Sequence, residues 1–186
     1  SDSGLLKDLL GKGYEVLFYC QIDNPLVKIA DPIFLGLHRQ EGAEISTKVV
    51  RRKDLEEKVG IYGMVNGKAA IVEYSDFPPE EYRAADEKGN LQYWAGNTAI
   101  HVFSLSFVKR LNRQGFALPY HRAVKEVEFL GQDGRKAKRT GWKFETFVFD
   151  AIPLARRACC MEVIREEEFA PVKNRQGKDS PDSARA

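Results

Sequence analysis

The sequence has few of the residue types that mark specialised classes of protein. Three cysteines occur in 186 residues, an odd count with Cys159 and Cys160 adjacent, which argues against a disulfide framework. These two lie in an apolar stretch that enters a predicted strand, so we expect them to be small buried residues. No apolar run approaches the ~20 residues that a membrane-spanning helix needs. The net charge is only +2, so composition offers no reason to expect nucleic acid or an anionic membrane as a partner. These absences predict a reduced, cytoplasmic protein that binds neither nucleic acid nor membrane.

Common catalytic and metal-binding patterns are also missing. No Cys/His spacing resembles a zinc site, and no serine nucleophile elbow is present. The nearest match to a phosphate-cradling glycine loop is the Gly-Lys-Gly run at residues 11–13, which precedes a predicted strand instead of following one. The three histidines are scattered, and His101 is expected to pack in the interior or make a single hydrogen bond.

What the sequence does contain is an alternation of strand and helix patterns. The 186 residues are enough for one domain with a sizeable core. The content of 43% hydrophobic and 30% charged residues is ordinary for a globular protein. Asn66-Gly67 is a strong hairpin signal, which adds an antiparallel component, so the patterns predict an α/β fold with a mixed sheet. The predicted order is a helix at 1–10, a buried strand at 14–22, a helix from 31 to about 42, strands at 43–52 and around 58–76, a strand at 98–106, helices at 107–113 and 144–158, and a strand at 159–165. Asp31 is expected to cap the second helix, with Pro32 at its first position, where a missing N–H costs nothing.

The stretch YCQIDNPLVKIADP places an acid and an amide directly after a predicted strand. Asp23 and Asn24 would lie at the carboxyl end of that strand, where open α/β sheets bind ligands. A carboxylate there could hold Mg²⁺ bridging phosphates, since this ion prefers a few oxygen ligands from protein. The alternative is an Asx-turn that closes the strand before Pro25, and the local pattern alone favours that turn.

Three other polar positions are candidates for ligand binding. Asn97 follows Gly96 at a strand start and offers both a donor and an acceptor for sugar hydroxyls, although a turn explains it equally simply. Glu73 follows an apolar run and could accept two sugar hydroxyls, or be a solvated charge at a strand end. Lys173 follows a proline in a loop and could approach phosphate, although most loop lysines are solvated.

Two aromatic residues two positions apart, Phe147 and Phe149, form the last candidate. They cannot share one face of a helix at that spacing. Core packing is the simpler interpretation. The alternative is that the segment begins as an extended piece and turns both rings toward a ligand.

Taken in order, these segments resemble the later half of the catalytic domain of the UDP-N-acetylglucosamine pyrophosphorylases, within the UDP-sugar pyrophosphorylase (uridylyltransferase) family. The resemblance covers residues 5–185. The sibling enzymes that make UDP-glucose differ from this sequence around Asp23 and around Asn97. It implies a partial domain of the nucleotidyltransferase fold, which is Rossmann-like and GT-A-like. The matching blocks are YCQIDNPLVKIADP, VVRRKDLEEKVG, IVEYSD, AGNTAIHVF, KFETFVFD, IREEEFAPVKN and GKDSPDSAR.

The resemblance implies a reaction in which UTP and N-acetylglucosamine 1-phosphate give UDP-N-acetylglucosamine and pyrophosphate. The family's pattern makes Asp23 a metal ligand near the nucleotide phosphates, with Mg²⁺ as cofactor, and Lys173 a catalytic residue that contacts the phosphates. The remaining positions would contact the sugar. Glu73 and Asn97 would bind its hydroxyls, Gly96 would allow close backbone approach, and Phe147 with Phe149 would wall the pocket near the N-acetyl group. Preference among N-acetylglucosamine, N-acetylgalactosamine and glucose 1-phosphates stays open.

In the family, the glycine-rich loop that holds UTP, a catalytic basic residue and the uracil-reading region lie upstream of the matching blocks. The resemblance therefore predicts that residues 1–170 form the C-terminal, sugar-binding half of the catalytic domain, and that residues 171–186 are a loop and a truncated tail. A sheet cut through its middle would expose a strand edge, so self-association is expected. The isolated chain is expected to be inactive. The alternative function is a non-catalytic sugar-nucleotide binding or regulatory module.

Overall fold

The computed structural model describes residues 3–113, 115 and 118–185. Eight strands are described: β1 Val16–Tyr19, β2 Ile45–Arg51, β3 Ile61–Val65, β4 Lys68–Val72, β5 Ala95–Ser104, β6 His121–Leu130, β7 Lys136–Glu145 and β8 Ala158–Glu162. The α-helices are α1 Leu5–Gly11, α2 Pro32–Gln40, α3 Pro79–Tyr82, α4 Leu105–Leu111, α5 Arg165–Glu168 and α6 Pro181–Arg185, with 3₁₀ helices at Tyr74–Asp76 and Val148–Leu154. In this part of the chain no helix is long and apolar enough to cross a membrane.

Six of the strands form one mixed sheet, as the sequence predicted. The strand order is β4-β3-β5-β2-β8, and β1 pairs with the second half of β5. β2 and β8 run parallel, whereas every other pair in this sheet is antiparallel. Asn66 and Gly67 both have positive φ at the β3–β4 turn, at 51° and 76°, which confirms the predicted hairpin.

β2 lies between β5 and β8, and this central place explains its burial. Residues 45–50 are all buried, because the strand has a neighbour on each side and side chains packed on both faces. One face meets a core cluster that includes Phe107 and Ile152, and Phe34 from α2 is fully buried in a second cluster. Asp31 caps α2 by accepting a hydrogen bond from the Ile33 N–H at 3.0 Å, as predicted.

The buried run of β2 contains a lysine that the sequence patterns did not single out. The side chain of Lys48 is fully buried, and its Nζ donates to Asp31 at 2.6 Å and to Glu168 at 2.5 Å. The ammonium also lies 5.3 Å from the centroid of the Phe34 ring. Burial alone would raise the pKa of Asp31, but the hydrogen bonds from Lys48 and the Ile33 N–H outweigh it and leave that pKa below its ordinary value.

The loop after β1 is joined to the segment after α5 by Asn24, which is buried. Its Nδ2 donates to the Glu168 carbonyl at 2.7 Å, and its Oδ1 accepts from the Ala170 N–H at 3.1 Å. The neighbouring Asp23 carbonyl accepts from the Val172 N–H at 2.7 Å. The Asx-turn suggested by the sequence is present as well, because Asn24 Oδ1 also accepts from the Leu26 N–H at 3.3 Å. Asn24 therefore shapes its own turn and holds a distant segment against it.

Several elements differ from the sequence predictions. The helix predicted at 144–158 is wrong: the chain remains in β7 through Glu145 and then forms the 3₁₀ helix Val148–Leu154, which contains Pro153. Only Phe144 and Glu145 of this segment pair with β6, and the missing N–H of Pro153 opposes a continuous α-helix over the rest. The β6–β7 hairpin itself was not predicted. The buried strand predicted at 14–22 is β1, which is shorter and half-exposed, with Leu17 41% exposed.

The edge position of β8 explains a second difference. The two adjacent cysteines were predicted to be small buried residues, but Cys160 is exposed and Cys159 is only partly buried. β8 pairs with β2 alone among the described strands, so one of its edges has no strand beside it. His101, in contrast, is buried and makes one hydrogen bond, to Thr47 at 3.0 Å, as expected.

Replacing Lys48 by methionine tests how much of the fold depends on this buried cation. Lys48→Met leaves the carboxylates of Asp31 and Glu168 buried without their shared donor. We expect the free energy of unfolding, measured by urea denaturation at neutral pH, to fall by about 3–5 kcal/mol. Lys109→Met, at an exposed position of α4, is the matched control and should change it by less than about 0.5 kcal/mol. Equal losses for the two variants would contradict the proposed dependence.

Candidate functional site

A cavity of about 570 Å³ opens beside the sheet where six separate segments meet. It is bordered by the loop after β1, the loop before β3, the residues after β4, the middle of β5 and the segments around residues 147–149 and 169–179. Six of the seven site residues predicted from the sequence line it: Asp23, Glu73, Asn97, Phe147, Phe149 and Lys173. Residues up to 150 positions apart, Asp23 and Lys173, are thus brought to one place by the tertiary fold.

Asn97 is presented to the cavity by an irregularity in β5. Val49 of β2 pairs with Asn97 and Thr47 pairs with His101, so one residue of β2 faces three residues of β5. Ala99, in the middle of this bulge, has a left-handed φ of 57°, and its N–H donates to Asn97 Oδ1 at 2.9 Å. The Asn97 Nδ2 has no hydrogen-bond partner in the described part of the chain, so a donor remains available on the cavity side.

The β5 bulge is joined to the buried lysine of β2. The Thr98 hydroxyl donates to the Lys48 carbonyl at 2.7 Å, and both residues are buried. The backbone of Lys48 therefore holds the bulge that carries Asn97, while its side chain holds the two carboxylates described above. One residue connects the polar interior to the cavity.

Glu73 lies at the end of β4 and is half-buried at the cavity. Its burial, followed by the nearby charge of Asp76, raises the pKa of this carboxyl above its ordinary value. Gly60 makes room for it: a Cβ at this position would lie 2.8 Å from Glu73 Oε1 and 2.9 Å from Ile71 Cγ2. The Gly60 carbonyl also accepts from the Asn97 N–H at 2.8 Å, so this glycine places both polar side chains.

Asp23 and Lys173 lie on neighbouring backbone segments. The Asp23 carbonyl accepts from the Val172 N–H, and the Lys173 N–H donates to the Asp179 carbonyl at 2.7 Å. Neither the Asp23 carboxylate nor the Lys173 ammonium makes an ion pair or side-chain hydrogen bond within residues 3–113, 115 and 118–185. Both charged groups are therefore available at the cavity.

The chemistry of the donor set fits a magnesium ion held jointly with a ligand. The described residues contain no group of three His, Cys, Asp or Glu side chains that could hold a metal alone. Mg²⁺ is commonly bound through one or two carboxylates together with substrate phosphates and water, and the unpaired Asp23 carboxylate suits that arrangement.

Phe147 and Phe149 form an aromatic wall on one side of the cavity. Their rings are stacked, with centroids 4.9 Å apart and an angle of 10° between planes. Phe147 has extended backbone angles, φ −109° and ψ 133°, and Phe149 lies in the 3₁₀ helix that follows. This change of backbone conformation allows two side chains at i and i+2 to meet, which a continuous α-helix would prevent.

Gly96 differs from the other six predicted positions. It is buried in β5, where a Cβ would lie 3.2 Å from the Val50 carbonyl oxygen and 3.2 Å from Val59 Cγ1. The close approach that this glycine permits in the structure is to neighbouring protein atoms. Its role toward a sugar stays a prediction.

Other residues at the cavity were not singled out from the sequence. Gly60 carried no signal, because the need for a glycine there comes from Glu73, which is distant along the chain. Three further residues that no sequence pattern singled out add charge or an aromatic ring to the cavity lining: Lys58, Tyr74 and Lys178. The segment predicted as a tail also takes part, since Pro171, Lys173, Lys178 and Asp179 border the cavity and α6 follows them. The boundary at residue 170 stays a prediction.

The fold is that of the UDP-sugar pyrophosphorylases, a class of nucleotidyltransferases. The structure of the uridine diphosphate N-acetylglucosamine pyrophosphorylase from Trypanosoma brucei, in complex with an inhibitor, matches this chain with a TM-score of 0.84 and 28% identity. The match covers 97% of this chain and 36% of that one. The mixed α/β nucleotidyltransferase fold expected from the sequence is thereby confirmed.

The chain belongs to the family described as UTP–glucose-1-phosphate uridylyltransferase, whose model matches residues 1–177. It is 38% identical over 190 residues to the UDP-N-acetylhexosamine pyrophosphorylase-like protein 1 of Homo sapiens, covering 99% of this chain and 38% of that protein. It is also 38% identical over 180 residues to the UDP-N-acetylglucosamine pyrophosphorylase of Saccharomyces cerevisiae, covering 91% of this chain and 37% of that protein. The chain thus spans less than two fifths of the length of these relatives.

A substitution at Gly60 tests the placement of Glu73. In Gly60→Ala the added methyl group would force the Glu73 carboxyl away from its half-buried position. Since burial raises the pKa of Glu73, we expect that pKa to fall toward the value of an exposed glutamate. Carbon-detected NMR titration measures it directly.

Gly63→Ala in β3 is the matched control, because a Cβ there meets no atom within 4 Å. It should leave the pKa of Glu73 unchanged. A Glu73 pKa that is the same in Gly60→Ala as in Gly63→Ala would show that Gly60 does not position this carboxyl.

Proposed function

We propose that this chain is the sugar-phosphate-binding part of a uridylyltransferase that makes UDP-N-acetylglucosamine and pyrophosphate from UTP and N-acetylglucosamine 1-phosphate. The observation that carries the proposal is the meeting of Asp23, Glu73, Asn97, Phe147, Phe149 and Lys173 at one cavity, in a chain that belongs to this family. Two relatives whose names refer to N-acetylated hexosamines support the choice of sugar.

The sugar would occupy the end of the cavity bordered by the β5 bulge. Asn97 Nδ2 would donate to one hydroxyl, and the Glu73 carboxylate would accept from two others. The stacked rings of Phe147 and Phe149 would pack against the N-acetyl group, whose methyl is apolar. This arrangement combines a few polar contacts with an apolar wall, as in most small-molecule sites.

The phosphates would lie between the loop after β1 and the segment around residue 173. Asp23 would hold Mg²⁺, which when bound neutralises phosphate charge and orients the phosphoryl oxygens. Lys173 would place its ammonium beside the phosphates, and Lys178 adds a second ammonium at the same border of the cavity. The attacking sugar-phosphate oxygen is already ionised at neutral pH, so positioning and charge neutralisation supply the catalysis without a strong general base.

The setting that we propose for this function is the cytoplasm. Cys20, Cys159 and Cys160 are all free thiols, which is typical of a reducing compartment. We also propose that the chain alone does not turn over UTP, because no glycine-rich phosphate loop follows a strand in its sequence.

We further propose that the 186-residue chain self-associates through the exposed edge of β1. Among the described strands β1 pairs with β5 only, so its other edge has unpaired backbone groups. Val16 and Leu17 are 36% and 41% exposed, and Leu17 borders an apolar groove of about 190 Å³ with Phe103 and Val108. Edge pairing with a second copy would cover both features.

Binding of UDP-N-acetylglucosamine, followed by isothermal titration calorimetry in the presence of Mg²⁺, tests the proposed function. We expect the wild-type chain to bind and Glu73→Ala to bind about 10- to 100-fold more weakly, since hydrogen bonds to a charged group are lost. Lys173→Ala should weaken the binding of UDP-N-acetylglucosamine without changing the free energy that the N-acetyl group contributes to that binding. Glu126→Gln, on the exposed β6–β7 hairpin, is the control.

An activity assay with UTP and N-acetylglucosamine 1-phosphate completes this test. Pyrophosphate release by the isolated chain would overturn the expectation that it is inactive. Absence of binding, or equal binding by wild type and Glu73→Ala, would overturn the assignment of the cavity. Binding by a longer natural form of the protein without pyrophosphate release would favour a regulatory module.

Size-exclusion chromatography with light scattering tests self-association. At micromolar concentration the wild-type chain should elute as a dimer or larger species, and Leu17→Lys should shift it toward monomer because a buried charge opposes edge pairing. Ile29→Lys replaces another exposed apolar residue, away from β1, and serves as control. A wild-type chain that elutes as a monomer would contradict the proposed association.

A further inference from the structure

The hairpin of β6 and β7 contacts the aromatic wall at its base. Most of its residues are exposed on both faces, whereas His121 and Glu145, which pair in register at the base, are partly buried. The His121 ring lies against Phe147, with ring centroids 4.7 Å apart and an interplanar angle of 49°. The ring of Phe147 therefore contacts the rings of both His121 and Phe149.

Asp150 joins His121 to the backbone of the same phenylalanine. His121 Nε2 lies 2.8 Å from Asp150 Oδ2, and that oxygen also accepts from the Phe147 N–H at 3.3 Å. The Asp150 N–H in turn donates to the Phe147 carbonyl at 3.1 Å. The Asp150 side chain is only 14% exposed, so water competes weakly for these hydrogen bonds. Phe147 is thus held at its ring and at both of its backbone polar groups.

This pair is also electrostatically close to the candidate sugar-binding carboxylate. The pKa of Glu73 is raised first by burial and then by Asp76, while the charge of His121 lowers it and the charge of Asp150 raises it. The two residues therefore lie near both the polar and the apolar parts of the sugar end of the cavity. Neither borders the cavity itself, so they would act through their neighbours.

We propose that His121 and Asp150 are positioning residues that hold the Phe147–Phe149 wall and thereby set the preference for a sugar nucleotide with an N-acetyl group over one with a hydroxyl. The inference rests on the proposed function, because the wall is assigned to the N-acetyl group there. The physical reason is that the Phe147 ring, in contact with two other rings and tied at its backbone to Asp150, is less free to rotate away from a substituent than it would be without the histidine.

Two complementary variants separate the ring of His121 from its hydrogen bond. His121→Phe retains an aromatic ring against Phe147 but removes the N–H···O contact with Asp150. His121→Gln places an amide near the position of Nε2 but removes the ring. Arg122→Gln, next along β6 and directed to the opposite face of the hairpin, is the matched control. Thermal unfolding of each variant establishes that it is folded.

The decisive measurement is the ratio of the dissociation constants for UDP-glucose and UDP-N-acetylglucosamine. Both His121 variants should lower this ratio about two- to tenfold, and Arg122→Gln should leave it unchanged. General destabilisation would weaken both ligands equally and would not move the ratio. An unchanged ratio in both His121 variants would overturn the proposal.

A ligand-free measurement separates this proposal from the proposed function. If the wild-type chain binds neither sugar nucleotide, the proposed function fails, and NMR contacts between the Phe147 and Phe149 rings then test positioning alone. Loss of those contacts in His121→Gln, with retention in Arg122→Gln, would support the positioning role. Retention in both variants would overturn it.

Discussion

The buried ammonium of Lys48 is the interaction on which the geometry of the cavity depends. Its side chain neutralises Asp31 at the start of α2 and Glu168 at the end of α5, and its carbonyl holds Thr98 in the β5 bulge. A charge buried so completely is tolerated only with partners of opposite charge and good geometry. The demand for those partners brings two distant segments, at Asp31 and Glu168, against the centre of the sheet, and Glu168 directly precedes the cavity residue Phe169.

Asn24 extends this constraint to the two charged groups that remain available. It ties the loop after β1 to the segment after Glu168, so that Asp23 and Lys173 lie on backbones joined by hydrogen bonds. A carboxylate and an ammonium held near each other without pairing can each interact with a third group. At the other end of the cavity, the β5 bulge, Gly60 and the aromatic wall define a more apolar environment for a sugar. The proposed function assigns the phosphates to the first of these two ends and the sugar to the second.

Local patterns predicted the elements whose signals are short-range. Asp31 and Pro32 began a helix because a side-chain cap and a fixed φ act within one turn, and Asn66-Gly67 formed its hairpin because both residues tolerate positive φ. The segment 144–158 was misassigned as one helix because its first two residues belong to β7, and Pro153, which lacks an N–H, lies in the short 3₁₀ helix that follows. Cys160 was expected to be buried, but the edge position of β8 exposes it. Whether a strand lies at the edge of a sheet, and which strand it pairs with, is decided by residues far along the chain.

By itself, the sequence determined the α/β class, the capped helix after Asp31, the β3–β4 hairpin and, through its ordered blocks, the family and the set of candidate residues. Only the tertiary structure decided that six of these residues share one cavity. It also decided that Gly60 accommodates Glu73, that Lys48 is buried with two carboxylates, and that His121 and Asp150 hold Phe147. The reason is that a cap or a turn depends on neighbours a few positions away, whereas burial and charge pairing depend on which distant segments the packed core brings together.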